Sequence, residues 1–92
     1  MKVERFSVLA CCGMTTVAFK MDAPLSKDNL PYLISNGFTI AKMHTDSGML
    51  YAEDVSIILS GLFGQNIVHA KCKVKECADF LNKTEELLTR MG

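Results

Sequence analysis

Residues 55–91 read VSIILSGLFGQNIVHAKCKVKECADFLNKTEELLTRM, and a change of period inside this stretch decides the fold. Over its middle, Val68, Ala70, Cys72 and Val74 alternate with Ile67, His69, Lys71 and Lys73. That period of two is the pattern of a strand with one face on a core and one facing water. From Cys77 the apolar positions run Cys77, Phe80, Leu81, Thr84, Leu87, Leu88 and Met91, the i, i+3, i+4, i+7 spacing of a helix laid on that core. Asp79–Lys83 and Glu86–Arg90 stand four apart in the favourable order for helix ion pairs. Upstream, Val55, Ile57 and Leu59 share one parity, while Ile58 on the other suggests partial cover on both sides. The stretch predicts two strands around a loop over residues 61–66, then one helix over Lys75–Met91.

The preceding residues extend the sheet. Phe6, Val8, Ala10 and Cys12 alternate toward a core, as do Val17, Phe19 and Met21, and Gly13 between the two runs predicts a hairpin. Pro31 belongs in the first turn of a helix, because an interior proline loses a hydrogen bond and clashes with the preceding turn. Asp28 or Asn29 is then its N-cap, Leu30, Leu33 and Ile34 share its inner face, and Asn36-Gly37 stops it. Phe38–Thr45 reads as a weakly alternating strand, Asp46-Ser47-Gly48 as a turn and Met49–Glu53 as a short strand. The expected order is β-β-α-β-β-β-β-α. This is an α+β fold: an antiparallel sheet of five to six strands with two helices packed on one face and the other face open.

With 92 residues and no linker or repeat, the chain is expected to form a single domain over 1–92. Its formal net charge is zero, which removes the broad attraction that carries most non-specific nucleic-acid affinity. It also leaves little to oppose self-association. No apolar run is long enough to span a bilayer, and Lys2, Glu4 and Arg5 do not suit a secretory leader. The expectation is a cytoplasmic protein with reduced cysteines.

Residues that could carry chemistry are few. The spacing of His69, Cys72 and Cys77 is H-x2-C-x4-C, but residues three apart on a strand point to opposite faces. Cys72 and Cys77 therefore read as packing, with a metal or redox site around Cys11, Cys12, Cys72 and Cys77 as an alternative. Adjacent Cys11 and Cys12 lie too close in the chain to bond each other. His44 and His69 read as surface residues, and Gly61-x-x-Gly64 lacks the lysine of a phosphate loop. No catalytic residue, metal ligand or cofactor is expected. His69, Lys71, Lys73 and Lys75 form a basic stripe that could meet phosphates or simply keep an edge soluble. Leu62-Phe63 at a hairpin tip either folds back under the sheet or marks a contact site.

Gly48-Met49-Leu50-Tyr51, Val55-Ser56-Ile57-Ile58-Leu59, Phe63-Gly64 and Ile67-Val68, with a helix ending Glu85-Glu86-Leu87-Leu88, resemble the second part of one repeat of the TATA-box-binding protein family. The resemblance implies a curved antiparallel sheet with two helices on its convex face. It also places Phe63 where that family wedges a phenylalanine between base steps. Where the other wedge would stand, this chain has Asp46, whose carboxylate repels phosphate, and the N-terminal hairpin is extra.

The functional expectation is a small non-enzymatic interaction domain. Leu62, Phe63, Ile67, His69, Lys71 and Lys73 would meet a protein partner or a second copy, forming a homodimer, with no membrane role. Nucleic-acid binding through Phe63, Lys71, Lys73 and Lys75 is the alternative.

Overall fold

A computed structural model describes residues 2–11, 14–74 and 77–91, with 7–11, 14 and 15 described through the backbone alone. The strands are β1 (Val3–Cys11), β2 (Met14–Met21), β3 (Thr39–Ile40), β4 (Met49–Glu53), β5 (Ile57–Leu62) and β6 (Ile67–Cys72). The helices are α1 (Leu30–Ser35), α2 (Lys42–Asp46) and α3 (Ala78–Arg90). All six strands join one antiparallel sheet in the order β1-β2-β6-β5-β4-β3. The α+β class and the antiparallel sheet expected from the sequence are what the chain adopts.

Alternation along the strands fixes which face is covered. Val17, Phe19 and Met21 of β2, Leu50 and Ala52 of β4, Ile57 and Leu59 of β5, and Val68, Ala70 and Cys72 of β6 are all buried. Leu33 of α1 and Leu81, Thr84 and Leu88 of α3 are buried with them, so both helices lie on this inner face. The Tyr32 hydroxyl donates to the Leu87 carbonyl at 2.7 Å and ties α1 to α3. Tyr32→Phe deletes that bond alone and is expected to lower stability by about 1 kcal/mol in urea denaturation. An unchanged midpoint would mean that the two helices are held by packing only.

Local chemistry explains the helix ends. Ser26 opens a 3-10 turn over Lys27–Asn29: its Oγ accepts from the Asp28 N–H, and its own N–H donates to Asn29 Oδ1. Pro31 sits in the first turn of α1, and Gly37, at a φ of 92°, closes it. α3 begins at Ala78, so the helix expected from Lys75 starts later, with Cys77 as its N-cap.

Several expectations are corrected. Phe38–Thr45 is not one strand. Only Thr39–Ile40 pairs with β4, and Lys42–Asp46 turns into α2. Met43 is 83% exposed, so this segment has no apolar row to hold a strand on the core. Local bonds favour the helical turn instead, from Thr45 Oγ1 to the Ala41 carbonyl and from Ser47 Oγ to the Met43 carbonyl.

The parity of β1 is also reversed at Phe6. Arg5 opposes Phe19 and takes the inner side, its guanidinium 5.6 Å from the ring centroid and bonded to Asn82 and Glu85 of α3. An edge strand can place an arginine inward because its apolar stem packs while its head reaches solvent. Phe6 is left on the outer face, 49% exposed. Beyond it, the side chains of Val8, Ala10 and Cys12 lie outside the described set.

The free-thiol expectation fails at Cys72 and Cys77, which form a disulfide with Cα atoms 6.3 Å apart. Both residues read as inward-facing, and the late start of α3 sets Cys77 close to the end of β6. Closing so short a loop is expected to stabilise the fold by about 2 kcal/mol. Urea denaturation with and without reductant measures this, and coincident curves would contradict it. No described helix is long and apolar enough to cross a membrane.

Candidate recognition surface

The outer face of the sheet is built by the residues that alternate with the core. Cross-strand register lines them up in rows: Phe6 opposes Ala18, Ala18 opposes His69, His69 opposes Ser60, and Ser60 opposes Tyr51. The His44 ring stacks on Tyr51 at 4.9 Å with 23° between planes, so α2 closes the far end of this central row. On one side lie Ile67, Leu62 and Met49. On the other, Thr16 opposes Lys71, Lys71 opposes Ile58, and Ile58 opposes Glu53. The row through Ile67 continues to Lys20 and Glu4, so charged residues border the apolar ones on both sides.

Exposure on this face is substantial for its apolar residues. Leu62 is 46% and Ile67 38% exposed. Between them a shallow groove of about 240 Å³ is lined by Met49, Ser60, Gly61, Leu62, Gln65, Ile67 and His69. Gly61 sits at its floor with no side chain, and its inner side is closed by Leu25 and the Ile67 carbonyl. Leu25 is held there by two backbone bonds to the β5–β6 turn, Leu25 N–H to Gln65 and Gly64 N–H to Leu25.

The residues proposed from the sequence divide. Leu62, Ile67, His69 and Lys71 share the outer face. Phe63 does not join them: it is half-buried and packs against the core, so Leu62 and Phe63 separate although they are neighbours. Leu62 also ends β5 rather than belonging to a loop. Lys73 turns to the β4–β5 corner, where its Nζ lies 2.8 Å from Glu53 Oε2 and donates to the Asp54 carbonyl. Lys75 lies outside the described residues. Phe63 is thus separated from the outer face, and the Lys73 head is held in an ion pair with Glu53.

Cys72 and Cys77 spend both sulfurs on each other, leaving no thiolate there for a metal. Among the described residues no group of three or more His, Cys, Asp or Glu converges. Cys12 and the Cys11 side chain lie outside them.

Phe6, Met49, Tyr51 and His44 belong to the face but were not singled out by the sequence. The sequence alternation puts Phe6 on the core parity, and the strand pattern over residues 38–45 hides the stacking of His44 on Tyr51. Met49 and Tyr51 alternate with buried Leu50 and Ala52, a signal that was available.

A second concavity, about 420 Å³, opens on the helix side between α1, α3 and the β4–β5 turn. Tyr32, Phe38, Ile57, Phe80 and Leu87 floor it, and Lys83 and Arg90 stand at its rim. Arg90 is paired with Glu86 at 2.7 Å.

No protein-family model matches the chain, and no curated protein or solved structure shows significant similarity to it.

Proposed function

We propose that this chain is a small non-enzymatic interaction domain that receives a protein surface, from a partner or from a second copy, on the open outer face of its sheet. One observation carries the reading. The outer face presents Phe6, Leu62 and Ile67 to solvent beside half-buried Met49, Tyr51 and Ile58, while α1 and α3 pack on the opposite side. Apolar side chains exposed on one face and bordered by Lys20, Lys71 and Glu53 suit a contact with an apolar centre and a polar rim. The zero net charge favours a protein over a nucleic acid, and Lys73 is engaged with Glu53 rather than free for phosphate.

Peptides selected from a display library test the reading, because selection converges on surfaces able to bury apolar side chains. The selected peptides should compete with one another and lose at least tenfold in affinity on Ile67→Lys and on Leu62→Glu. Lys83→Glu, on the helix side, should leave them unaffected. Peptides that map to the cleft around Phe80 and Leu87, and bind Ile67→Lys normally, would refute the proposal.

A further inference from the structure

We infer that β1 is a pairing edge at which a second copy of this chain adds its own β1, antiparallel, across a two-fold axis beside Phe6. The inference rests on the outer-face reading in one respect: the union would make two outer faces continuous, with the Phe6 residues at the seam.

The backbone supplies the first argument. β1 ends the sheet, and among the described strands nothing pairs with its free side. The other edge is the two-residue β3, followed at once by α2, so β1 is the long open edge. Which of its groups are free follows from the register. The Asp22 N–H donates to the Lys2 carbonyl, whereas the Met21 N–H donates to the Asn66 carbonyl on the side of β6. Backbone groups alternate along a strand, so Glu4, Phe6 and Val8 direct theirs to β2, and Val3, Arg5 and Ser7 direct theirs outward. The ladder is regular from Val3 to Val8 and shifts by one residue before Cys11, which confines clean pairing to the first part of the strand.

Symmetry, like-charge repulsion and the register shift beyond Val8 together favour one register. An axis normal to the sheet keeps each residue on its own face, so only registers that place equal parities opposite each other are allowed. Centring the pair on Arg5 would put two guanidinium groups opposite each other, and centring it on Glu4 would do the same with two carboxylates. Centring it on Phe6 sets Arg5 opposite Ser7 of the second copy. The outward N–H and C=O groups of both residues then meet in both copies, giving four backbone bonds. Phe6 faces its own copy in a non-hydrogen-bonded position, where Cα atoms come within about 4.5 Å and side chains are closest. The half-exposed Phe6 ring lies on the outer face for that contact. This is addition of a strand to a sheet edge, and the contact is the same patch on both partners.

Cross-linking reads the register. In a Cys11→Ser, Cys12→Ser background, Phe6→Cys should form an intermolecular disulfide on mild oxidation, because the expected Cα separation suits one. Glu4→Cys should not, since the two copies of residue 4 would stand about 14 Å apart. Light scattering should give a dimer mass for the native chain and a monomer mass for Ser7→Pro. That variant removes an outward N–H while leaving the β1–β2 bonds in place. If Ser7→Pro does not fold, the two cysteine variants decide the matter. A native chain that stays monomeric into the millimolar range overturns the inference. So does equal cross-linking at positions 4 and 6, or a folded Ser7→Pro dimer. A dimer lost on Ile67→Lys but kept by Ser7→Pro would sink the edge and leave the face standing. Peptide binding indifferent to Ile67→Lys, together with cross-linking at position 6, would do the reverse.

Discussion

Phe19→Ala is expected to cost about 3–5 kcal/mol of unfolding free energy, the usual toll for deleting a buried phenylalanine ring. Phe19 has no exposed surface and stands on β2 between two paired strands, opposite Arg5 on one side and Val68 on the other. Its ring lies under the Arg5 guanidinium that binds Asn82 and Glu85. Truncation therefore empties the centre of the core and also loosens the tie between β1 and α3. Natural domains carry only about 5–15 kcal/mol in total, so a large share of the stability is at stake. Urea denaturation followed by circular dichroism should show a much lower midpoint with a similar slope. Phe6→Ala, at a half-exposed position on the same hairpin, should change stability by less than about 1 kcal/mol. Equal losses at the two positions would mean that the faces of the hairpin have been assigned the wrong way round.

Gly61→Val is expected to destabilise by up to about 3 kcal/mol, although valine is the better strand former. The reason is space. A Cβ at Gly61 would stand 2.8 Å from the Ile67 carbonyl oxygen and 3.3 Å from Leu25 Cδ2. The oxygen belongs to the β6 backbone and cannot move without shifting a paired strand. Leu25 is fixed through its bonds to the β5–β6 turn. Gly61→Ala should show the same sign with a smaller loss, since it introduces the clash without the two extra methyl groups. The comparison is made by thermal and urea denaturation of both variants. A stabilised Gly61→Val would show that Leu25 does not close the inner side of β5.

These positions also show how far the residues spoke for themselves. β6 and α3 are readable because their periods hold within each element: Val68, Ala70 and Cys72 are buried, Ile67, His69 and Lys71 are exposed, and Leu81, Thr84 and Leu88 line the inner helix face, while Val74, expected on the core side, lies past the end of β6 and is exposed. Pro31 and Gly37 mark the ends of α1 because proline is excluded from a helix interior and glycine freely takes the positive φ that closes one. Structure departs from local pattern where tertiary neighbours override it. Arg5 occupies an inner position only because α3 offers Asn82 and Glu85, partners far away in the chain. Lys42–Asp46 became a helical turn because hydroxyl-to-carbonyl bonds replaced ladder bonds that a strand at the sheet's margin would have had to find. Cys72 and Cys77 were both placed facing the core, yet their bonding depends on where α3 begins, which periodicity locates only within a few residues.

The outer face was legible in part. The alternation marks Leu62, Ile67, His69 and Lys71, but adjacency alone pairs Phe63 with Leu62, although the chain turns between them and directs the ring against the core. Adjacent residues at a strand end part company whenever one stays on the pleat and the next enters the turn.

Solvent exposure of that face is open to measurement by proton relaxation in the presence of a soluble, neutral paramagnetic probe. If α1 and α3 cover one side and leave the other bare, the methyl protons of Leu62 and Ile67 and the ring protons of Phe6 will relax strongly. Those of Val68, Leu59 and Phe19 will be spared, and dilution will separate any shielding of Phe6 by a second copy from shielding within one chain. Weak relaxation of Leu62 and Ile67 in the dilute monomer, on a level with Val68 and Leu59, would mean that the sheet is covered on both sides and that no open recognition face exists.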